Sequence, residues 1–238
     1  MYQLLNLWYY GATSENTFRH ITLDENGLIV PDAWDGPYSQ PIHANFFCLY
    51  QKKKGEERFH DPQMFNDIDM EIVFTDSRVL FRCDKYDKGN IKNPIGGIAV
   101  AIWAIDKAVA AKRSSGKTLA GHLRYEWLWE IHYQKKHGFL SNESLWFFYE
   151  DDERTAWMLE LHLKKHEDAR QIARMIYDKA LRYRLAMTDE KDPKYLQSLQ
   201  EKLQIPTPEN PDPKCVTKLK MGTHYFAPKG EEHRPALQ

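Results

Sequence analysis

Residues 122–134 read HLRYEWLWEIHYQ and carry the clearest periodic signal in the chain. Leu123, Tyr125, Trp127, Trp129, Ile131 and Tyr133 occupy alternate positions. Arg124, Glu126, Glu130 and His132 fill the others, with Leu128 the one exception. Successive side chains of a strand point to opposite faces, so a period of two means one buried face and one wet face. The run is longer than the usual strand of about 5–6 residues, which predicts a bend, a bulge or two strands.

The pattern continues on both sides of this stretch. Toward the C-terminus, 145–149 is an apolar run of strand length, and acidic Glu150, Asp151, Asp152 and Glu153 mark a turn after it. Trp157, Leu159, Leu161 and Leu163 then alternate with Met158, Glu160, His162 and Lys164, a second half-buried strand. The period next becomes helical: Ala169, Ile172, Ala173, Ile176 and Ala180 form one stripe, with charged residues on the opposite face. Glu167 and Asp168 are expected in its first turn and Arg182 and Arg184 in its last, as the helix dipole favours. Toward the N-terminus, 46–50 reads as a strand. The β-rich runs 71–74 and 78–83 flank Thr75-Asp76-Ser77 as a tight hairpin. Between hairpin and alternating stretch, the alanine-rich segment 96–113 has no proline and predicts an inserted helix of about four turns.

The expected fold is therefore α+β, mainly β: about seven antiparallel strands in a sheet or small barrel, capped by a C-terminal amphipathic helix. Residues 46–186 form this domain. Residues 1–45 open with a strand-like run, 4–10, then become rich in turn formers. They read as an irregular extension packing on the core through Trp8, Tyr9, Trp34 and Tyr38. Seven of the twelve prolines lie beyond residue 190. There, 187–238 reads as a short helix, capped by Asp192 with Pro193 at its first position, and an extended tail.

The strand order and the hairpin EIVFTDSRVLF, residues 71–81, resemble the pleckstrin-homology (PH-like) superfold, and more closely its GRAM and bacterial PH-like members. An apolar strand, Thr-Asp-x-Arg and a second apolar strand make up the hairpin those families share. The resemblance spans roughly residues 46–186. The inserted helix departs from it, as does a closing helix without the tryptophan of many eukaryotic members. It implies a non-catalytic binding or scaffolding module; with no cofactor expected, the inserted helix and the long aromatic strand 122–134 are the surfaces read as engaging a protein partner or its own copy.

Composition narrows the function classes. Seven Trp and thirteen Tyr exclude disorder throughout, and a net charge of −1 argues against a nucleic-acid partner. Cys48, Cys83 and Cys215 are odd in number and form no CxxC pair, which points to a reducing, cytoplasmic setting without a zinc site. Residues 1–10 lack the pattern of a secretory signal, and no run approaches the ~20 apolar residues of a membrane span.

No catalytic motif emerges, which leaves an enzyme only as a third reading, one whose residues converge in three dimensions alone. Ser115-Gly116-Lys117-Thr118 resembles the end of a phosphate-binding loop, but Ala111 stands where that loop needs its first glycine. His162 and His166 are four apart, without the glutamate of a zinc-protease helix and across a strand–helix boundary. Cys215, His224 and His233 are scattered in the tail and give no metal-ligand spacing. Two surfaces remain. Lys52, Lys53, Lys54 and Arg58 lie in the loop after the first strand, and Lys85 and Lys88 follow the hairpin. In a PH-like sheet these loops open at one end and would attract an anionic headgroup, opposed there by the acidic turn 150–153. On the inserted helix, Ile98, Ile102, Trp103 and Val109 carry apolar side chains around much of its circumference. That suits packing against the extension, a protein partner, self-association, or an anionic membrane surface.

Overall fold

The computed structural model describes residues 35–52, 55–83, 119–135, 142–150, 155–188, 192–207, 212 and 215–222. The inserted helix expected at 96–113, with Ile98, Ile102, Trp103 and Val109, lies outside them, as do Lys53, Lys54, Lys85 and Lys88. In chain order the elements are β1 (Ile42–Lys52), β2 (His60–Phe74), β3 (Arg78–Cys83), β4 (Leu119–Arg124), β5 (Leu128–Gln134), β6 (Ser144–Glu150), β7 (Ala156–Leu163), α1 (Ala169–Met187), α2 (Pro193–Gln204) and β8 (Thr217–Lys220). All eight strands form one antiparallel sheet in the order β4-β3-β2-β1-β7-β6-β5-β8, a mainly β, α+β architecture.

This order dictates the shape of the sheet. β4 and β5 are six strand spacings apart in it, about 29 Å if the sheet were flat. Only Tyr125, Glu126 and Trp127 connect them, a link that reaches at most about 14 Å. The sheet therefore curls until its two halves meet at this corner. The long alternating stretch is thus two strands broken by a turn. Its parity also slips: the register of β5 on β6 shifts between Leu128 and Glu130, so Leu128 and Ile131 are buried while Trp129 moves to the outer face.

The corner is held by charges that have been taken out of water. Arg184, near the end of α1, is fully buried and points its guanidinium at the carbonyls of Tyr125, Glu126 and Leu128. It also donates to the Tyr195 hydroxyl of α2 at 3.2 Å. The Glu126 carboxylate pairs with Arg124 at 3.1 Å and accepts a hydrogen bond from the Tyr183 hydroxyl at 2.7 Å. Arg184, expected as a partner for the helix dipole, thus ties the helix to the strand corner.

Helix α1 starts where Asp168 accepts a hydrogen bond from Gln171 N at 2.9 Å, so this aspartate is the cap and precedes the first turn. Glu143 accepts from Ala169 N at 2.7 Å, and Glu167 accepts from His43 N at 2.9 Å. The stripe Ala169, Ile172, Ala173, Ile176 and Ala180 is buried against the inner side chains of the sheet, among them Phe47, Leu123, Ile131, Phe147 and Leu161. α2 begins at Pro193 with Asp192 as its cap and buries Leu199 in the same core.

The stretch read as an extended tail contributes β8, which pairs with β5 and buries Leu219, while Met221 N bonds to Trp129 O at 3.0 Å. From the expected N-terminal extension, residues 35–39 lie along the hairpin, and Ser39 exchanges hydrogen bonds with the Phe74 backbone. Among the described residues no helix is long and apolar enough to cross a membrane.

Candidate functional site

The hairpin turn gathers several buried polar groups. The Asp35 carboxylate receives Arg78 Nε at 2.8 Å and Nη2 at 2.5 Å, and the Ser77 hydroxyl at 2.8 Å. The Thr75 hydroxyl lies 3.0 Å away from it and accepts from Arg78 N and Ser77 N. Arg78 Nη1 stands 3.1 Å from His122 Nδ1; a guanidinium only donates, so that ring nitrogen is the acceptor. Gly36 holds Asp35 in place: its φ is +59°, and a Cβ there would lie 2.3 Å from an Asp76 carboxylate oxygen. Asp35, Arg78 and His122 are each at most 1% exposed. This is a sealed structural lock with no approach for a ligand.

The outer face of the sheet brings together a thiol, a phenol, carboxylates and imidazoles. Cys48 on β1 stands opposite Glu160 on β7, and Trp146 on β6 separates Glu160 from His132 on β5. Glu160 accepts from the Tyr50 hydroxyl at 3.1 Å and lies 3.0 Å from His162 Nε2, whose ring packs on Phe46 at 4.4 Å. Burial pushes the Cys48 thiol up to about 11, and burial with the neighbouring Cys48 and Glu160 pushes the Tyr50 phenol up as well. Both groups hold their protons at neutral pH and are poor nucleophiles there. Glu130 and His132 form a second pair at 2.6 Å. Burial pulls His132 below its ordinary value, against the upward pull of Glu130.

The sequence-derived basic loop is described in part. Lys52 is half-buried at the end of β1, and Arg58 is exposed in the connection to β2. The ends of β1, β3 and β6 share one edge of the sheet, because alternate strands of an antiparallel sheet run the same way. Lys52 stands opposite Ala156, which in turn stands opposite Glu150; residues 53, 54 and 151–154 lie outside the described residues. His166 is exposed and pairs with Glu167, apart from His162 on the strand. Cys215 is exposed, its sulfur 3.6 Å from Asp212. Residues 115–118, His224 and His233 lie outside the described residues. Among the described residues no group of His, Cys, Asp and Glu has the arrangement of a metal site.

Among the described residues, a concave feature with room for a ligand lies on α1. An open groove of about 790 Å³ runs along the face of the helix turned away from the sheet, from Asp168 to Arg182. Pro206 and Thr207, after α2, wall it on one side. Arg170 bonds to Thr207 O at 3.1 Å, and Arg174 bonds to Leu203 O at 3.0 Å and to the carbonyl of Ile205. Lys135, just past β5, and Lys179 line it as well. Five cations thus face two carboxylates, Asp168 and Asp178. The four-residue spacing of Arg170, Arg174, Asp178 and Arg182 was visible in sequence as a charged helix face. The wall was not, because nothing local ties residue 207 to residue 170.

Comparison with known proteins gives no matching protein family, no matching curated protein and no matching solved structure.

Proposed function

We propose that this chain is a non-catalytic interaction module of PH-like design, working in the cytoplasm, that binds a polypeptide partner or a second copy of itself. The observation that carries the reading is the element order among the described residues: seven antiparallel strands in one curled sheet, followed by an amphipathic helix packed on it. That is the arrangement the hairpin resemblance implies. The fate of the ionisable groups supports it. Asp35 and Arg78 are buried and bonded to each other, buried Glu126 is held by Arg124 and Tyr183, and buried Arg184 is bonded to backbone carbonyls, as a scaffold uses them. The thiol and phenol on the outer face stay protonated at neutral pH, and the groove on α1 is open rather than enclosed.

The test is an unbiased selection from a random peptide display library on the full chain, alongside sedimentation equilibrium at micromolar protein. A related set of enriched peptides, or a concentration-dependent dimer, supports the module. A chain that enriches nothing and stays monomeric sinks it. Flotation with phosphatidylserine vesicles, comparing the native chain with Lys52, Lys53 and Lys54 changed to Ala, checks the competing anionic-lipid reading of the 52–58 loop.

A further inference from the structure

We infer that the α1 groove is a docking site for an acidic, extended peptide segment of a partner protein; the inference rests on the binding-module reading above and names its site and ligand. The charge balance comes first. Asp168 is committed to capping its own helix, and Asp178 is held by Arg174 through contacts of 2.9 Å. Arg170 and Arg174 in turn brace the wall, and Lys179 reaches Asp76 at 2.6 Å. Lys135 and Arg182 are exposed, and no ion pair is seen for either among the described residues. With both carboxylates of the groove already occupied, its field is positive, and an anionic ligand finds two cations ready to receive it.

Shape selects among anions. From Asp168 to Arg182 the helix rises about 21 Å, which matches about six extended residues. Met175 and Pro206 supply an apolar strip inside the groove, so the fitting segment carries an apolar side chain among its carboxylates. A small anion would be left largely in solvent in so open a trough. A bilayer is flat, and the Pro206–Thr207 wall sets part of this cationic face back from a plane. A nucleic-acid duplex calls for many more phosphate contacts than two uncommitted cations give.

The experiment measures fluorescence anisotropy of a labelled twelve-residue peptide of alternating Glu and Asp around a central Leu-Phe pair, titrated with the full chain. Its Gln/Asn analogue and phosphatidylserine vesicles run in parallel. Micromolar binding that falls with salt and is lost in the analogue supports the assignment. In the double variant Lys135→Glu/Arg182→Glu, affinity should fall by about tenfold or more. Lys194→Glu, an exposed charge on α2 outside the groove, should leave it unchanged. Both substituted positions in the double variant are exposed, and Lys135→Gln/Arg182→Gln gives a milder version with the same direction. Equal binding of the analogue, or equal binding by the double variant, overturns the proposal. So does vesicle binding that disappears in the double variant without any peptide binding. If the acidic peptide fails while display still enriches other ligands, the groove assignment falls and the module stands. If display also enriches nothing and the chain stays monomeric, the module reading itself falls.

Discussion

The hairpin lock and the α1 groove are built from the same side chains and behave in opposite ways. In the lock, Arg78 is 1% exposed and its guanidinium is bonded to the Asp35 carboxylate and faces His122. In the groove, Arg182 is exposed to solvent. A buried cation has lost its hydration and depends on its partners, whereas an exposed one keeps its water until a ligand offers something better. Charge that has been dried out holds a fold together, and charge left wet is available for recognition.

The largest effect should come from breaking the lock. Arg78→Ala leaves the Asp35 carboxylate buried and uncompensated and should cost about 3–5 kcal/mol, read from the urea midpoint. Arg182→Ala should change stability by less than about 0.5 kcal/mol. If the two cost the same, the distinction between the regions collapses.

Next in size is the corner. Arg184→Met keeps the length of the side chain but strips the carbonyls of Tyr125, Glu126 and Leu128 of their buried donor. It should cost about 1–3 kcal/mol by the same measurement. A cost near zero would mean that apolar packing alone holds the helix against the strand corner.

Asp168 both holds the fold, as a helix cap, and lines the groove, which makes it the sharpest probe of the comparison. As the cap of α1 it contributes about 1 kcal/mol of stability; as a groove carboxylate it opposes an acidic ligand. Asp168→Ala should therefore lower the urea midpoint while tightening the acidic peptide in the anisotropy titration. Movement of both readouts in the same direction would break the assignment of the groove.

How much of this was legible beforehand follows from the range of each interaction. The strands at 46–50, 78–83, 145–149 and 157–163 and the stripe of α1 were readable because period two and period 3.6 are local properties. Trp129 was assigned to the wrong face because the register slip at Leu128 comes from the curl of the sheet, a tertiary event. β8 went unseen: a strand of four residues in a proline-rich stretch gives too short an alternation, although Leu219 and Met221 follow it. Asp35 was read only as part of a turn-rich stretch, since no pattern links it to Arg78, 43 residues on. The groove was half legible. Four of its five cations lie on α1, with Arg170, Arg174 and Arg182 at helical spacing, but Lys135 comes from the end of β5 and the wall depends on where α2 returns the chain.

The smallest effect concerns a pair that is neither sealed nor fully wet. His132 and Glu130 lie 2.6 Å apart on the outer part of β5, their side chains 13% and 9% exposed. Burial pulls the His132 pKa below 6.5, with Lys218 and Lys220 of the neighbouring β8 acting the same way and Glu130 opposing. The unfolded chain, with an ordinary histidine, therefore binds more protons than the native one once the pH drops through 6.5. The contribution is fully present above that value and is lost as the pH falls toward the folded-state pKa. Ten histidines blur the absolute curve, so the useful quantity is the difference between the native chain and His132→Gln in urea midpoint against pH. The variant should lose stability less steeply between neutral pH and the range below 6.5. An unchanged slope would show that Glu130 offsets the burial completely, and that even a half-buried pair on this sheet behaves as wet charge.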